Sequence, residues 1–115
     1  MKSLINIIFV ALLLISLQAN AAERISKSER ASITTLSILS VYESKCEDLT
    51  PFGYESFIQV VRHQESKGRN IYLMEDYQAG LKRTLGFFKS NGRTVACREL
   101  RKIIKSMPLF NQMIN

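Results

Sequence analysis

Hydrophobic positions form one unbroken block at the start of the chain and shorter periodic stretches after it. Leu4 through Leu17 is almost wholly apolar, its core from Ile7 to Ile15 has no polar side chain, and Lys2 precedes it. Gln18-Ala19-Asn20-Ala21 then places small residues where a signal peptidase requires them. A charge, an apolar run and an A-x-A site in that order predict a cleaved secretory signal over residues 1–21, with the mature chain beginning at Ala22. The alternative is an uncleaved anchor, which needs about 20 predominantly apolar residues. This run reaches that length only by taking in Asn6, Ser16, Gln18 and Asn20. No cysteine lies near the cleavage site to accept a lipid.

After residue 22 the apolar positions recur at three- and four-residue steps, the period of an amphipathic helix. Ser26-Lys27-Ser28-Glu29 has the spacing of a capping box. Ile33, Leu36, Leu39, Tyr42 and Cys46 then line one face, so a first helix is expected over 27–46. Thr50-Pro51 is a second start signal, with Thr50 as cap and Pro51 at the first helical position. Tyr54, Phe57, Ile58 and Val61 are its expected inner face, and Lys67-Gly68 its end. Asn70 is the expected cap of a third helix whose inner face reads Leu73, Tyr77, Leu81, Leu85 and Phe88. Gly80 and Gly86 interrupt it and mark either close packing or a break. Ser90-Asn91-Gly92 is a turn, and Thr94 is the expected cap of a fourth helix carrying Cys97, Leu100, Ile104 and Met107 on one stripe. Pro108 ends that helix. The apolar tail of Leu109, Phe110, Met113 and Ile114 either docks on the core or stays available.

Four amphipathic helices with short connections predict an all-α fold, a small four-helix bundle formed by residues 22–115 as one domain. A mature chain of this size gains from a covalent staple. Cys46 and Cys97 are its only cysteines, and an exported chain meets an oxidising compartment, so a structural disulfide is expected between them. The loop it closes is worth roughly 4 kcal/mol in the chain-entropy model. It joins the end of the first helix to the start of the fourth. The pair lacks the C-x-x-C spacing of a redox site.

Charge changes the picture further. The chain carries 16 basic and 10 acidic side chains, a net +6. Residues 22–79 hold 7 basic and 9 acidic side chains, whereas residues 80–115 hold 8 basic and 1 acidic. In the fourth helix Arg98, Arg101, Lys102 and Lys105 repeat at helical steps opposite the apolar stripe. This basic ribbon is either a solvated helix face or a contact surface for something anionic. In the second case Phe110 and Met113 are expected to add an apolar anchor beside the charge. Export makes nucleic acid an unsuitable target. A protein with an acidic surface is the expected partner, and anionic envelope components are a further candidate.

Catalytic and metal chemistry find little support. His63 is the only histidine, and Glu65 follows it too closely on a helix to act as its orienting partner. The acids Glu43, Glu47 and Asp48, and the pair Glu75-Asp76, are accounted for as solubilising or dipole-complementing residues. One histidine and two paired cysteines make no zinc pattern, and there is no phosphate-cradling glycine loop. Neither an enzyme nor a cofactor is expected.

A helix ending in cysteine (Leu39, Tyr42, Cys46), a middle helix ending near Gly68 and a last helix opened by Ala96-Cys97 resemble the small helical pilotins of type II secretion. In that family a disulfide clamps a four-helix bundle whose groove takes a helix of the secretin. Those pilotins are usually lipoproteins, and this chain has no lipid-acceptor cysteine. The same outline is similar to periplasmic immunity proteins against type VI amidase effectors, which are small, helical and disulfide-bonded and plug an active-site cleft. The resemblance implies a periplasmic or secreted binding module, an inhibitor or immunity protein. The pilotin likeness implies a secretion or envelope-assembly accessory instead.

Overall fold

The computed structural model describes residues 25–115, and the expected signal over 1–21 lies outside the described residues. Every regular element among them is helical: α1 Lys27–Lys45, α2 Pro51–Ser66, a 3-10 turn Ile71–Leu73, α3 Glu75–Asn91, α4 Arg93–Ser106 and a final 3-10 turn Phe110–Gln112. One disulfide, Cys46–Cys97, closes the bundle with a Cα–Cα separation of 5.6 Å. Among the described residues no helix is long and apolar enough to cross a membrane.

The start signals of the first two helices act as their chemistry dictates. The Ser26 side chain accepts from the Glu29 backbone N–H at 3.1 Å, satisfying one of the open donors of the first turn. Thr50 does the same for Gly53 N at 3.0 Å, with Pro51 at the first position. The other two starts differ from expectation. Asn70 caps only the 3-10 turn, and α3 begins five residues after it at Glu75 without a side-chain cap. Gly92, not Thr94, precedes α4. It links α3 to α4 as a single residue at φ 81°, a left-handed conformation that glycine adopts without steric cost. The chain reverses within that one residue, leaving Thr94 already inside the helix.

α1 is the central helix. Ile33, Thr35, Leu36, Ser37, Leu39, Val41 and Tyr42 are buried, so it is covered on nearly all sides. α3 runs parallel to it: Gly80 sits against Ser37 and Thr34, and Lys45 lies over the Phe88 ring. α2 runs antiparallel on another flank, with Tyr54 reaching Glu43 and Gln64 reaching Glu29. The buried stripe of α3 is Tyr77, Gly80, Thr84 and Phe88. The expected stripe is therefore wrong at Leu73 (77% exposed) and Leu85 (46% exposed). The helices approach closely through small side chains, and large apolar residues are displaced to the flanks of that contact. The inner face of α2 is likewise rotated: Gly53 and Gln64 are buried and Phe57, Val60 and Val61 half-buried, while Tyr54 and Ile58 are exposed. In α4 the expected stripe holds, with Leu100 and Ile104 buried and Cys97 and Met107 packed against the core.

The C-terminal tail docks. Met113 and Ile114 are buried, and Phe110 packs half-buried against the core. Thr50 N donates to Met113 O at 2.9 Å, and Lys105 Nζ donates to Asn111 O and Ile114 O at 3.1 and 3.0 Å. Met113 is thus part of the core and Phe110 half-buried against it, rather than the pair forming the exposed anchor expected beside the basic ribbon. The exposed apolar residue of this segment is Leu109.

Polar contacts tie the end of α2 to the start of α1, beside the apolar packing of Phe57, Val60 and Val61. Gln64, 1% exposed, donates through Nε2 to Glu29 Oε2 at 3.0 Å and accepts from Arg69 Nη1 at 2.9 Å. Arg69 and Lys67 complete the cluster around Glu29 at 3.3 and 3.6 Å. The Gln64 hydrogen bond, aided by both cations and Ser26, holds the Glu29 carboxyl below its ordinary value of 4.5 against the opposing effect of burial.

Four outcomes follow from this packing. A Cβ at Gly80 overlaps Ser37 Oγ, whereas Gly86 faces open space. Gly80→Ala is therefore expected to destabilise by about 1–3 kcal/mol and Gly86→Ala to stabilise by up to about 1 kcal/mol, both measured by urea denaturation. Because the folded pKa of Glu29 is depressed, its contribution is complete above its unfolded value and fades as pH falls through the folded one. Glu29→Gln should flatten the loss of stability as pH falls through and below the ordinary carboxylate range, measured by urea denaturation at a series of pH values. Reduction of Cys46–Cys97 should lower stability by about 2–4 kcal/mol, seen as a shift of the urea midpoint with and without reductant.

Candidate functional site

The four cations of the expected ribbon all reach the surface on α4, yet each has a partner within the chain. Arg101 Nη1 donates to Glu47 Oε1 at 2.8 Å, and Tyr42, buried beneath, donates its hydroxyl to the same oxygen at 2.5 Å. Burial, with Glu47 next in weight, raises the Tyr42 pKa above its usual value. Arg98 and Lys102 share Glu99 Oε1 at 3.6 and 3.3 Å. Lys105 ties down the tail through the two carbonyls already described. Such surface pairs contribute at most about 1 kcal/mol each, but they lower the positive potential along the ribbon. Arg101 in particular braces the segment after Cys46, so its charge reversal would set a carboxylate against Glu47.

A second group of cations gathers at the disulfide end from three helices. Lys45 closes α1, Lys89 lies in the last turn of α3, and Arg93 opens α4. Among the described residues none of the three has an ion pair. Arg93 Nε donates to the Lys45 carbonyl at 2.6 Å, which orients the guanidinium without neutralising it. Lys45 Nζ stands 5.7 Å from the centroid of the Phe88 ring, within cation–π range. With Ser44, Leu85 and Phe88 they line an open cavity of about 460 Å³. Arg93 is shared with an adjoining cavity of about 590 Å³ beside the disulfide, whose rim also carries Arg98 and Arg101. The cysteine pair holds α1 and α4 in the register that brings Lys45 to Arg93.

Cations in the last turn complement the negative ends of α1 and α3. Their convergence goes beyond that role, because the parallel course of α1 and α3 delivers both helix ends to one place. An apolar floor with half-exposed Leu85, rimmed by three positive charges, suits a carboxylate presented beside an apolar group. Sequence spacing does not connect Lys45, Lys89 and Arg93. The available signal was the position of each beside a helix end.

The remaining titratable residues do not converge in this way. His63 is exposed in a groove between α1 and α2 with Ser28, Ser32 and Ser56, and makes no hydrogen bond to a carboxylate among the described residues. Glu29, in the same groove, is engaged by Gln64, Arg69 and Lys67. Tyr54 donates to Glu43 at 2.7 Å, a contact that raises the tyrosine pKa, with burial a smaller cause. No group of three or more histidine, cysteine, aspartate or glutamate side chains gathers to hold a metal ion among the described residues. Comparison with known proteins finds no family model, no curated protein and no solved structure that matches the chain.

Proposed function

We propose that the chain is a small exported, non-catalytic protein-binding module, working in the periplasm or after secretion as an inhibitor or immunity factor. Its recognition surface is the cationic end of the bundle. The observation that carries this reading is the convergence of Lys45, Lys89 and Arg93 around a half-exposed apolar floor, without an ion pair among the described residues. Single-sign surfaces steer association and select partners of opposite charge. The partner is accordingly a protein with an acidic surface. The exposed remainder of the α4 ribbon, Arg98 and Lys102 above all, extends the same field, whereas Arg101 and Lys105 serve mainly internal contacts.

Cross-linked affinity capture from an envelope extract, compared between wild type and Lys89→Glu/Arg93→Glu, tests the proposal. One partner recovered near equal stoichiometry is expected, weakened about tenfold or more by the double reversal and weakened by salt in the wild type. A partner retained equally by the variant would remove the cationic end from recognition. Recovery of a membrane-embedded secretion or assembly component would instead identify an accessory factor of the pilotin kind.

A further inference from the structure

A second surface lies on the opposite flank of α3. Thr34 and Ile38 of α1 form one wall, Leu100 and Ile103 of α4 the other, and Gly80, Arg83, Thr84 and Phe87 of α3 the floor and rim, around about 250 Å³. Gly80 offers only backbone to the floor, its missing side chain's place being taken by Ser37. The floor is apolar because the one hydroxyl placed there by α3, on Thr84, is spent on the Gly80 carbonyl at 2.7 Å. Ile103 on the rim is 48% exposed, although the opposite side of α4 packs into the core. Small-molecule sites usually enclose roughly 300–1,000 Å³, so this groove is undersized for a ligand of that kind. It has the dimensions of one large side chain, the form in which interface anchors are received. Arg83 is its only charged lining residue and has no ion pair among the described residues.

From this size, apolarity and single unpaired cation we infer that the α1–α3–α4 groove receives one apolar anchor side chain from an acidic segment of a protein partner. A carboxylate flanking that anchor pairs with Arg83. The inference rests on the binding function proposed above and adds to it a specificity pocket remote from the cationic end. The occupant is set by charge complementarity: the rim is positive, the floor apolar, and the chain carries a net positive charge.

Selection of a displayed random dodecapeptide library on the full mature protein tests this directly, with binding of the enriched synthetic peptides then measured by calorimetry. Enriched peptides should pair a leucine- or phenylalanine-type residue with a nearby aspartate or glutamate. Ile103→Asp should weaken them by about tenfold or more. Arg83→Glu should weaken them while sparing control peptides whose acid is replaced by its amide. Ile103 is half-exposed, so its replacement leaves the core intact, and thermal melts verify that. Lys89→Glu/Arg93→Glu should leave these peptides bound. Peptides that survive Ile103→Asp but are lost in Lys89→Glu/Arg93→Glu would overturn the groove while leaving the cationic-end proposal standing. Failure of any peptide to enrich, or enrichment indifferent to both sets of variants, would also overturn it.

Discussion

The close contact between α1 and α3, made where Gly80 meets Ser37, is the constraint on which the rest of the molecule depends. A helix buried on nearly every side needs neighbours all round, and α1 obtains the nearest of them through small residues rather than large ones. Close approach of the two backbones leaves the large apolar side chains Leu85 and Phe87 to either flank. One flank becomes the floor of the cationic end and the other the apolar groove. The parallel course of the two helices follows from the same register, with Thr34 and Ser37 at the level of Gly80 and Lys45 at that of Phe88. Both candidate surfaces are thus products of a single packing event.

Charge is handled in two ways in the basic half of the chain. Along α4 it is spent locally: Glu47 and Glu99 take three of the cations, and the tail carbonyls take the fourth. At the disulfide end it accumulates, since Lys45 lies over an aromatic ring and Arg93 donates to a carbonyl. Neither neutralises a full charge. The basic helix therefore has unequal parts, and the cations without an ion pair among the described residues gather where three helix ends meet.

Element type and order were legible because capping chemistry and helical period are local. Ser26, Thr50, Pro51 and Gly68 act within a few residues of themselves, and the α1 and α4 stripes are uninterrupted apolar series. Facing was legible only where bulk hydrophobicity and burial coincide. They part at α3, where close packing selects Gly80 and Thr84 over Leu73 and Leu85. They part again at α2, where a buried polar residue, Gln64, fills an inward position because Glu29 and Arg69 arrive to satisfy it. The Cys46–Cys97 pairing needed only the count of cysteines and the export signal. The meeting of Lys45, Lys89 and Arg93 needed the tertiary register, to which no spacing along the chain gives access.

The placement of the disulfide has a topological consequence. All of α2, the 3-10 turn that follows and α3 lie inside the loop closed between Cys46 and Cys97, and so does the exposed connection around Gly68. Exposed turns with small residues are where proteases cut first. A single cut there leaves both pieces covalently joined, with Gln64 and Arg69 on opposite sides of the cut still able to meet Glu29. In a compartment that contains proteases but no reductant, such a chain can be nicked and remain one molecule.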